Sequence, residues 1–288
     1  MNLREKLERG KFVVLAEMEP PKGVDVSSML AHAARVKGEV DAFVVPEMSN
    51  AVMKMSSLGG CMLLQGKGFE TVVQVCCRDR NRLALQADLL AACALGTCNV
   101  MAVTGEDCSY GDHHRARPVY DIDLLELLEV IGKLQSGRDM AGIELTGAPT
   151  YFVGSVVNPC ASGGVRDLEI EEMDRKIAAG AEFFVTPPIF DLQSVSKFMK
   201  RISDRKVKII PTVLLLKSVG MARYIQANID TMHIPEETVA RIQKAPDRVR
   251  ECVRIAAELV RQFREAGFSG VLLSTIGWED KLPDILEA

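Results

Sequence analysis

No apolar run of membrane length, no long basic tract, no C-x-x-C pair and no G-x-G-x-x-G occurs in this sequence of 288 residues, and each absence removes a class of function. The longest apolar stretches are interrupted well short of the roughly 20 residues that a spanning helix needs, so no membrane span is expected. The first residues, Met1-Asn2-Leu3-Arg4-Glu5-Lys6, carry both signs of charge rather than the basic-then-apolar order of a secretory signal. A net charge of −4 argues against nucleic acid as the main partner, and the densest arginine cluster, Arg78 to Arg82, includes Asp79 and reads as the loop before a helix. The eight cysteines, at 61, 76, 77, 93, 98, 108, 160 and 252, have no disulfide-framework spacing, which fits a reducing, cytoplasmic setting. No histidine stands at zinc spacing from them, so no metal is expected.

What is present is a regular alternation. Strand-like apolar runs fall at 12–17, 41–46, 70–76, 99–104, 151–157, 182–186, 208–214 and 270–276. Amphipathic or Ala/Leu-rich stretches lie between them at 27–37, 50–65, 81–95, 121–135, 168–179, 191–203, and 218–228 paired with 236–265. Asp121 is a candidate N-cap, and Gly96, Gly180 and Gly267 sit where helices should end. Eight alternating units imply parallel strands with right-handed crossovers, and the length suits one (β/α)8 TIM barrel as a single domain over 1–288. A doubly wound open sheet is the alternative, without the glycine fingerprint that usually supports it.

In a barrel the residues just after each strand converge on one face. Here they are Glu17, Glu47, Cys76 with Cys77, Thr104 with Glu106, Asn158, Thr186 with Pro187, Lys217, and Gly277 with Trp278. Acids, amides, hydroxyls and one lysine suit an organic ligand better than a divalent cation, although Glu17, Glu47 and Glu106 are the carboxylates a cation would use. Glu17 is the first candidate for catalysis. It ends the run Val13-Val14-Leu15-Ala16, shares a strand face with Leu15, and precedes Glu19-Pro20-Pro21. A carboxyl buried at that position could act as a general acid near neutrality. Standing alone it reads more readily as a strand-end acid paired with Lys22 or Lys217. The thirteen methionines read as core filler, and Asp112-His113-His114-Arg115 as a solvated loop.

Several segments taken together resemble the methylenetetrahydrofolate reductase family in its short bacterial form. They are Glu17-Met18-Glu19-Pro20-Pro21-Lys22-Gly23, Met55-Ser56-Ser57-Leu58, Thr104-Gly105-Glu106-Asp107, Tyr110-Gly111-Asp112-His113, Tyr120-Asp121-Ile122-Asp123, Gly154-Ser155-Val156-Val157-Asn158-Pro159, Asp174-Arg175-Lys176, Ala179-Gly180-Ala181-Glu182-Phe183-Phe184, Leu214-Leu215-Leu216-Lys217-Ser218, Met221-Ala222-Arg223-Tyr224 and Ile276-Gly277-Trp278-Glu279. They run in order through nearly the whole chain. The Leu-Lys-Ser and Ile-Gly-Trp-Glu segments look most like forms from anaerobes that use the folate branch of one-carbon metabolism.

The resemblance implies a barrel with FAD, or FMN, on its C-terminal face, reducing 5,10-methylenetetrahydrofolate to 5-methyltetrahydrofolate or running the reverse, in the metabolism that also feeds methionine biosynthesis. It makes Glu17 the acid at the folate N10 and a substrate contact, and makes Glu106 a second catalytic carboxylate, standing where the family has an aspartate beside flavin and pterin. It assigns Gln74, Thr104, Gly105, Glu106, Asn158, Arg175 and Lys176 to the cofactor, the last two to its phosphate-bearing side, and Thr186 and Lys217 to the substrate. Four positions depart from the family pattern. Pro46 replaces a threonine, Gln74 and Asn158 replace histidines, and Pro187 replaces a folate-holding glutamine. Proline offers no side-chain amide. The departures suggest an electron-delivering partner subunit, and a homo-oligomer is compatible with everything read here. The alternatives are a pterin-binding barrel moving methyl between tetrahydrofolate and a corrinoid protein, and a non-catalytic folate-binding subunit.

Overall fold

Eight short strands, most of them rich in β-branched or aromatic residues, hydrogen-bond in sequence order and close on themselves. The computed structural model describes residues 1–229 and 231–288. The strands are β1 (Val13–Glu17), β2 (Ala42–Val45), β3 (Thr71–Cys76), β4 (Asn99–Val103), β5 (Phe152–Val156), β6 (Phe183–Pro188), β7 (Lys208–Leu214) and β8 (Gly270–Ser274). Every pairing is parallel, and closure is made by β1 against β8, with Leu15 opposite Leu272. The helices around them are α1 (Leu3–Glu8), α2 (Ser27–Arg35), α3 (Ser57–Gln65), α4 (Arg82–Ala94), α5 (Leu124–Gln135), α6 (Gly163–Ala178), α7 (Gln193–Arg201), α8 (Val219–Asn228), α9 (Glu236–Lys244), α10 (Arg248–Glu265) and α11 (Leu282–Glu287). No described helix is long and apolar enough to cross a membrane. This is the (β/α)8 architecture read from the alternation.

Side-chain alternation divides the core in two. Val13, Leu15, Ala42, Val44, Val72, Met101, Phe152, Phe183, Val185, Ile210 and Leu272 fill the barrel, and Leu3 and Leu7 of α1 close its N-terminal end. The intervening residues, among them Val14, Ala16, Phe43, Val45, Val73 and Val75, pack outward against the helices. The interior is full enough that Gly154 has no freedom to grow, since a Cβ there would lie 2.2 Å from the Phe183 ring, itself stacked on Phe152 at 4.8 Å. The remaining inward positions lie toward the C-terminal end, where the packing stops and the polar side chains begin.

The helix boundaries differ from those expected in several places. The segment 50–65 is divided: Ser49–Ala51 forms one 3₁₀ turn, with Met48, Asn50 and Ala51 all in left-handed conformations, before Ser56 caps α3. α5 is capped by Asp123 through a reciprocal bond with Glu126, not by Asp121, whose carboxylate instead takes Arg82. α6 starts at Gly163, five residues ahead of the expected 168. The stretch 236–265 is two helices because Pro246 cannot continue the first, and Asp247 caps the second. α1 and α11 were not anticipated, since six-residue helices offer too little periodicity to read.

Candidate active site

Glu17 closes β1 on the inward face that begins with Val13 and Leu15. Across the closing seam, the hydroxyl of Ser274, the last residue of β8, donates to Glu17 Oε1 at 3.1 Å. The two lysines that could have neutralised Glu17 are occupied elsewhere: Lys22 pairs with Asp112, and Lys217 donates to the Ile276 carbonyl and lies over the Trp278 ring at 5.2 Å. Lys54 pairs with Glu19. Among the described residues no cation forms an ion pair with Glu17. Burial is the main reason its carboxyl is pushed up from 4.5 to about 7, and repulsion from Glu19 and Glu279 adds to it, against the opposing Ser274 bond and the Lys54 charge. Such a group holds a transferable proton near neutrality.

The β2–β4 side is a connected polar frame. Glu47 is buried just beyond β2, its Oε2 accepting from the Ser57 amide at 3.1 Å and its Oε1 lying 3.3 Å from Arg80. Gln74 points into the barrel from β3, and its side-chain oxygen accepts from the Glu47 amide at 2.8 Å. Beside it Arg78 is almost wholly buried. Its guanidinium grips both oxygens of Asp79 at 2.8 and 2.7 Å, and donates to the carbonyls of Glu106 at 3.2 Å and Met48 at 3.4 Å. Arg78 thereby binds the loop after β4 to the loop after β2. With Arg80 held by Glu47 and Asp88, and Arg82 by Asp121, the arginine cluster is spent on internal pairs.

Gly105 fits this frame because nothing larger could. Its φ is +91°, and a Cβ would lie 2.2 Å from Cys76 Sγ and 3.0 Å from Arg78 Cβ. The neighbouring Thr104 and Glu106 are exposed, with the Glu106 carboxylate 3.6 Å from Arg78. Asp112, expected in a solvated loop, draws three segments together by accepting from Lys22, from the Met53 amide at 3.0 Å, and from His113 Nδ1 at 2.8 Å. These contacts hold its carboxyl far below the usual range. Neither Arg78 nor Asp112 had a sequence signal that separated it from its charged neighbours.

The β5–β8 side is less convergent. Asn158 turns its side-chain oxygen to the Cys160 amide at 3.1 Å. The Thr186 hydroxyl donates to the Pro187 carbonyl at 2.7 Å and accepts from the Thr212 amide, stabilising the irregular β6–β7 register. Lys176 is buried, donating to the Val156 carbonyl at 3.0 Å, and burial lowers its pKa. Arg175 is exposed on α6 and pairs with Glu172 at 2.5 Å. The structure thus brings Glu17 and Ser274 together, and joins Gln74, Gly105 and Glu106 through the Glu47 and Arg78 frame. Arg175 and Lys176 both reach the Glu172 carboxylate, at 2.5 and 3.9 Å.

A family model described as methylenetetrahydrofolate reductase matches residues 2–288. The chain belongs to this family. No curated protein matches it. Among solved structures, an uncharacterized Clostridium thermocellum protein that binds two copies of 5-methyl-5,6,7,8-tetrahydrofolic acid has a TM-score of 0.65 at 13% identity, covering 99% of this chain and 96% of that one. EDTA monooxygenase from Chelativorans sp. BNC1 has a TM-score of 0.57 at 10% identity, covering 96% of this chain and 92% of that one. A 2,3-dimethylmalate lyase has a TM-score of 0.56 at 10% identity, covering 99% and 81%. At such identities these neighbours speak to the barrel fold.

The family raises the question of a flavin, and the residues in this conformation answer it unevenly. Thr104 is exposed at the end of β4, and Gly105 beside it packs closely on Cys76 and Arg78. On the phosphate-bearing side Arg175 and Lys176 converge on the Glu172 carboxylate, and Lys176 also donates to the Val156 carbonyl, so a phosphate that took both charges would have to displace Glu172. Asn158 and Thr186 have likewise spent side-chain oxygens on the protein itself.

Proposed function

We propose that this chain acts on the methylene- and methyltetrahydrofolate couple, with Glu17 as the general acid of the reductive direction and the general base of the reverse. The observation that carries this is an inward carboxyl at the barrel mouth that has no cation paired to it among the described residues and that burial pushes up to about 7. In the reductive direction the proton leaves Glu17 for the folate N10, the bond from N10 to the bridging methylene breaks with its electron pair going to nitrogen, and an iminium remains at N5. The neighbour that binds 5-methyl-5,6,7,8-tetrahydrofolic acid supports the ligand class. FAD or FMN is the hydride source that family membership favours.

Methyl transfer to a corrinoid protein, or folate binding without catalysis, is the second reading. It is favoured by the Glu172 carboxylate, which already holds Arg175 and Lys176. The visible spectrum of the purified chain, read together with steady-state reduction of 5,10-methylenetetrahydrofolate by NADH and NADPH, decides between them. Bound flavin with folate turnover supports the redox reading. Folate binding without flavin overturns it. If the single chain turns over at ordinary enzyme rates, about 1 to 10³ per second, no electron-delivering partner is needed.

A further inference from the structure

The eight cysteines fall into two environments. Cys61, Cys76, Cys77, Cys108 and Cys252 are buried, and the partly exposed Cys160 gives its thiol to the Ser194 hydroxyl at 3.6 Å. Cys93 and Cys98 are both partly exposed, and their Sγ atoms lie 2.8 Å apart. Cys93 is in the last turn of α4 and Cys98 immediately precedes β4. Between them the chain reverses through Gly96, whose φ of +93° returns Cys98 to the helix end. This is the N-terminal end of the barrel, opposite Glu17.

Other partners for the two thiols are poor. Cys93 Sγ reaches the Thr150 carbonyl only at 4.0 Å, and Cys98 Sγ reaches the Cys93 carbonyl at 3.7 Å. Among the described residues no group of three His, Cys, Asp or Glu side chains could hold a metal ion, so the pair lacks the further ligands of a zinc site. Tyr151 adjoins them with its hydroxyl buried and unbonded, its titration raised by burial and by both cysteines. Leu95 and Gly96 are exposed, so the turn can adjust its geometry at the surface without moving the core.

We propose that Cys93 and Cys98 are a thiol–disulfide site, closed within one chain by a peroxide and reopened by a thiol reductant. The roles of the two sulfurs follow from their surroundings. The Cys98 thiol faces the Cys93 carbonyl at 3.7 Å, which favours its protonated form, and burial pushes its titration up as well, so Cys93 is the first nucleophile. The Cys93 sulfur attacks one peroxide oxygen, the O–O bond breaks, and water leaves with Cys93 as a sulfenic acid. The Cys98 sulfur then attacks the sulfenic sulfur, the S–O bond breaks, and a second water carries off the Cys98 proton. Two thiols lose two electrons and two protons, and one peroxide becomes two waters.

The test uses the intact reduced chain and stands apart from any folate chemistry. The protein is exposed to increasing hydrogen peroxide, quenched by alkylation, and cut after arginine, lysine and glutamate, so that cleavage at Glu106 separates Cys93 and Cys98 from Cys108. The expected result is a segment lighter by two hydrogen atoms that takes no alkyl group, regains both sites after dithiothreitol, and appears before any other thiol is lost. Oxidation of Cys93 to sulfinic acid while Cys98 remains alkylatable would overturn the proposal. So would a peroxide-induced disulfide that joins two chains rather than closing within one.

Discussion

Replacing Glu17 with glutamine should reduce activity and raise stability, and the two effects have one cause. The carboxyl is pushed from 4.5 to about 7 by burial, which means the folded protein tolerates the neutral form better than the anion. A shift of that size corresponds to about 3 kcal/mol at ~1.4 kcal/mol per unit, and partial exposure at the barrel mouth reduces it to about 1–3 kcal/mol. Because the folded pKa lies above the unfolded one, wild-type stability falls as pH rises through the window from 4.5 to about 7 and stays lower above it. Glutamine has no anion to penalise and can still accept the Ser274 hydroxyl. The gain of Glu17→Gln should therefore be full at about pH 8 and vanish by about pH 4.5.

For a chain of 288 residues the unfolding entropy is about 0.6 kcal/mol/K, so the gain at about pH 8 corresponds to roughly 2–5 °C in Tm. Loss of the transferable proton should lower folate turnover by about 10²- to 10⁴-fold over the same samples. Calorimetry at the two pH values and steady-state kinetics check both halves. A variant less stable than wild type at about pH 8 would refute the claim that the anion is uncompensated, and a variant of undiminished turnover would refute its role as the acid.

Glu19→Gln should move the alkaline limb of the pH–rate profile for folate reduction to lower pH, because it removes a repelling charge and frees Lys54, whereas Lys54→Met should move it the other way; shifts in one common direction would contradict this electrostatic account. Gly105→Ala should cost about 2–4 kcal/mol in denaturant unfolding, since its methyl would meet Cys76 and Arg78 at a positive φ. Arg78→Met should cost a similar amount, about 2–4 kcal/mol, by leaving Asp79 and two carbonyls without their donor. Arg175→Glu should change stability by less than about 0.5 kcal/mol and leave any flavin content unaltered, and a loss of flavin measured by absorbance would restore the clamp expected from the resemblance.

The barrel was legible because its strands are written as apolar runs, and a run such as Val13-Val14-Leu15-Ala16 fills one face of the interior and one face of the helix layer whatever follows it. Glu17 was legible for the same reason, since alternation from Leu15 fixes which way it faces. Arg78 was not. In the sequence it is one of three arginines in a charged run, and only the approach of the Met48 and Glu106 carbonyls from distant loops turns it into a buried clamp. Asp112 was hidden in the same way, because its partners Lys22 and Met53 come from two other loops. α1 escaped notice because it has only two apolar residues, Leu3 and Leu7, and its place is set by the opening it plugs.

The solitary state of Glu17 depends on how the loops distribute charge. Lysine side chains are long and flexible, and any one of three within the same set of loops could have quenched an acid at the mouth. Each is held by another acceptor: Lys22 by the aspartate that also draws in Met53, Lys54 by the acid two residues beyond Glu17, and Lys217 by a carbonyl and an indole face at the end of β8. The loops after β1, β2, β4, β7 and β8 therefore decide where these three charges go. By occupying all three lysines they leave the β1 carboxyl poorly solvated and, among the described residues, without an ion-pair partner, the condition under which an ordinary glutamate becomes an acid at neutral pH.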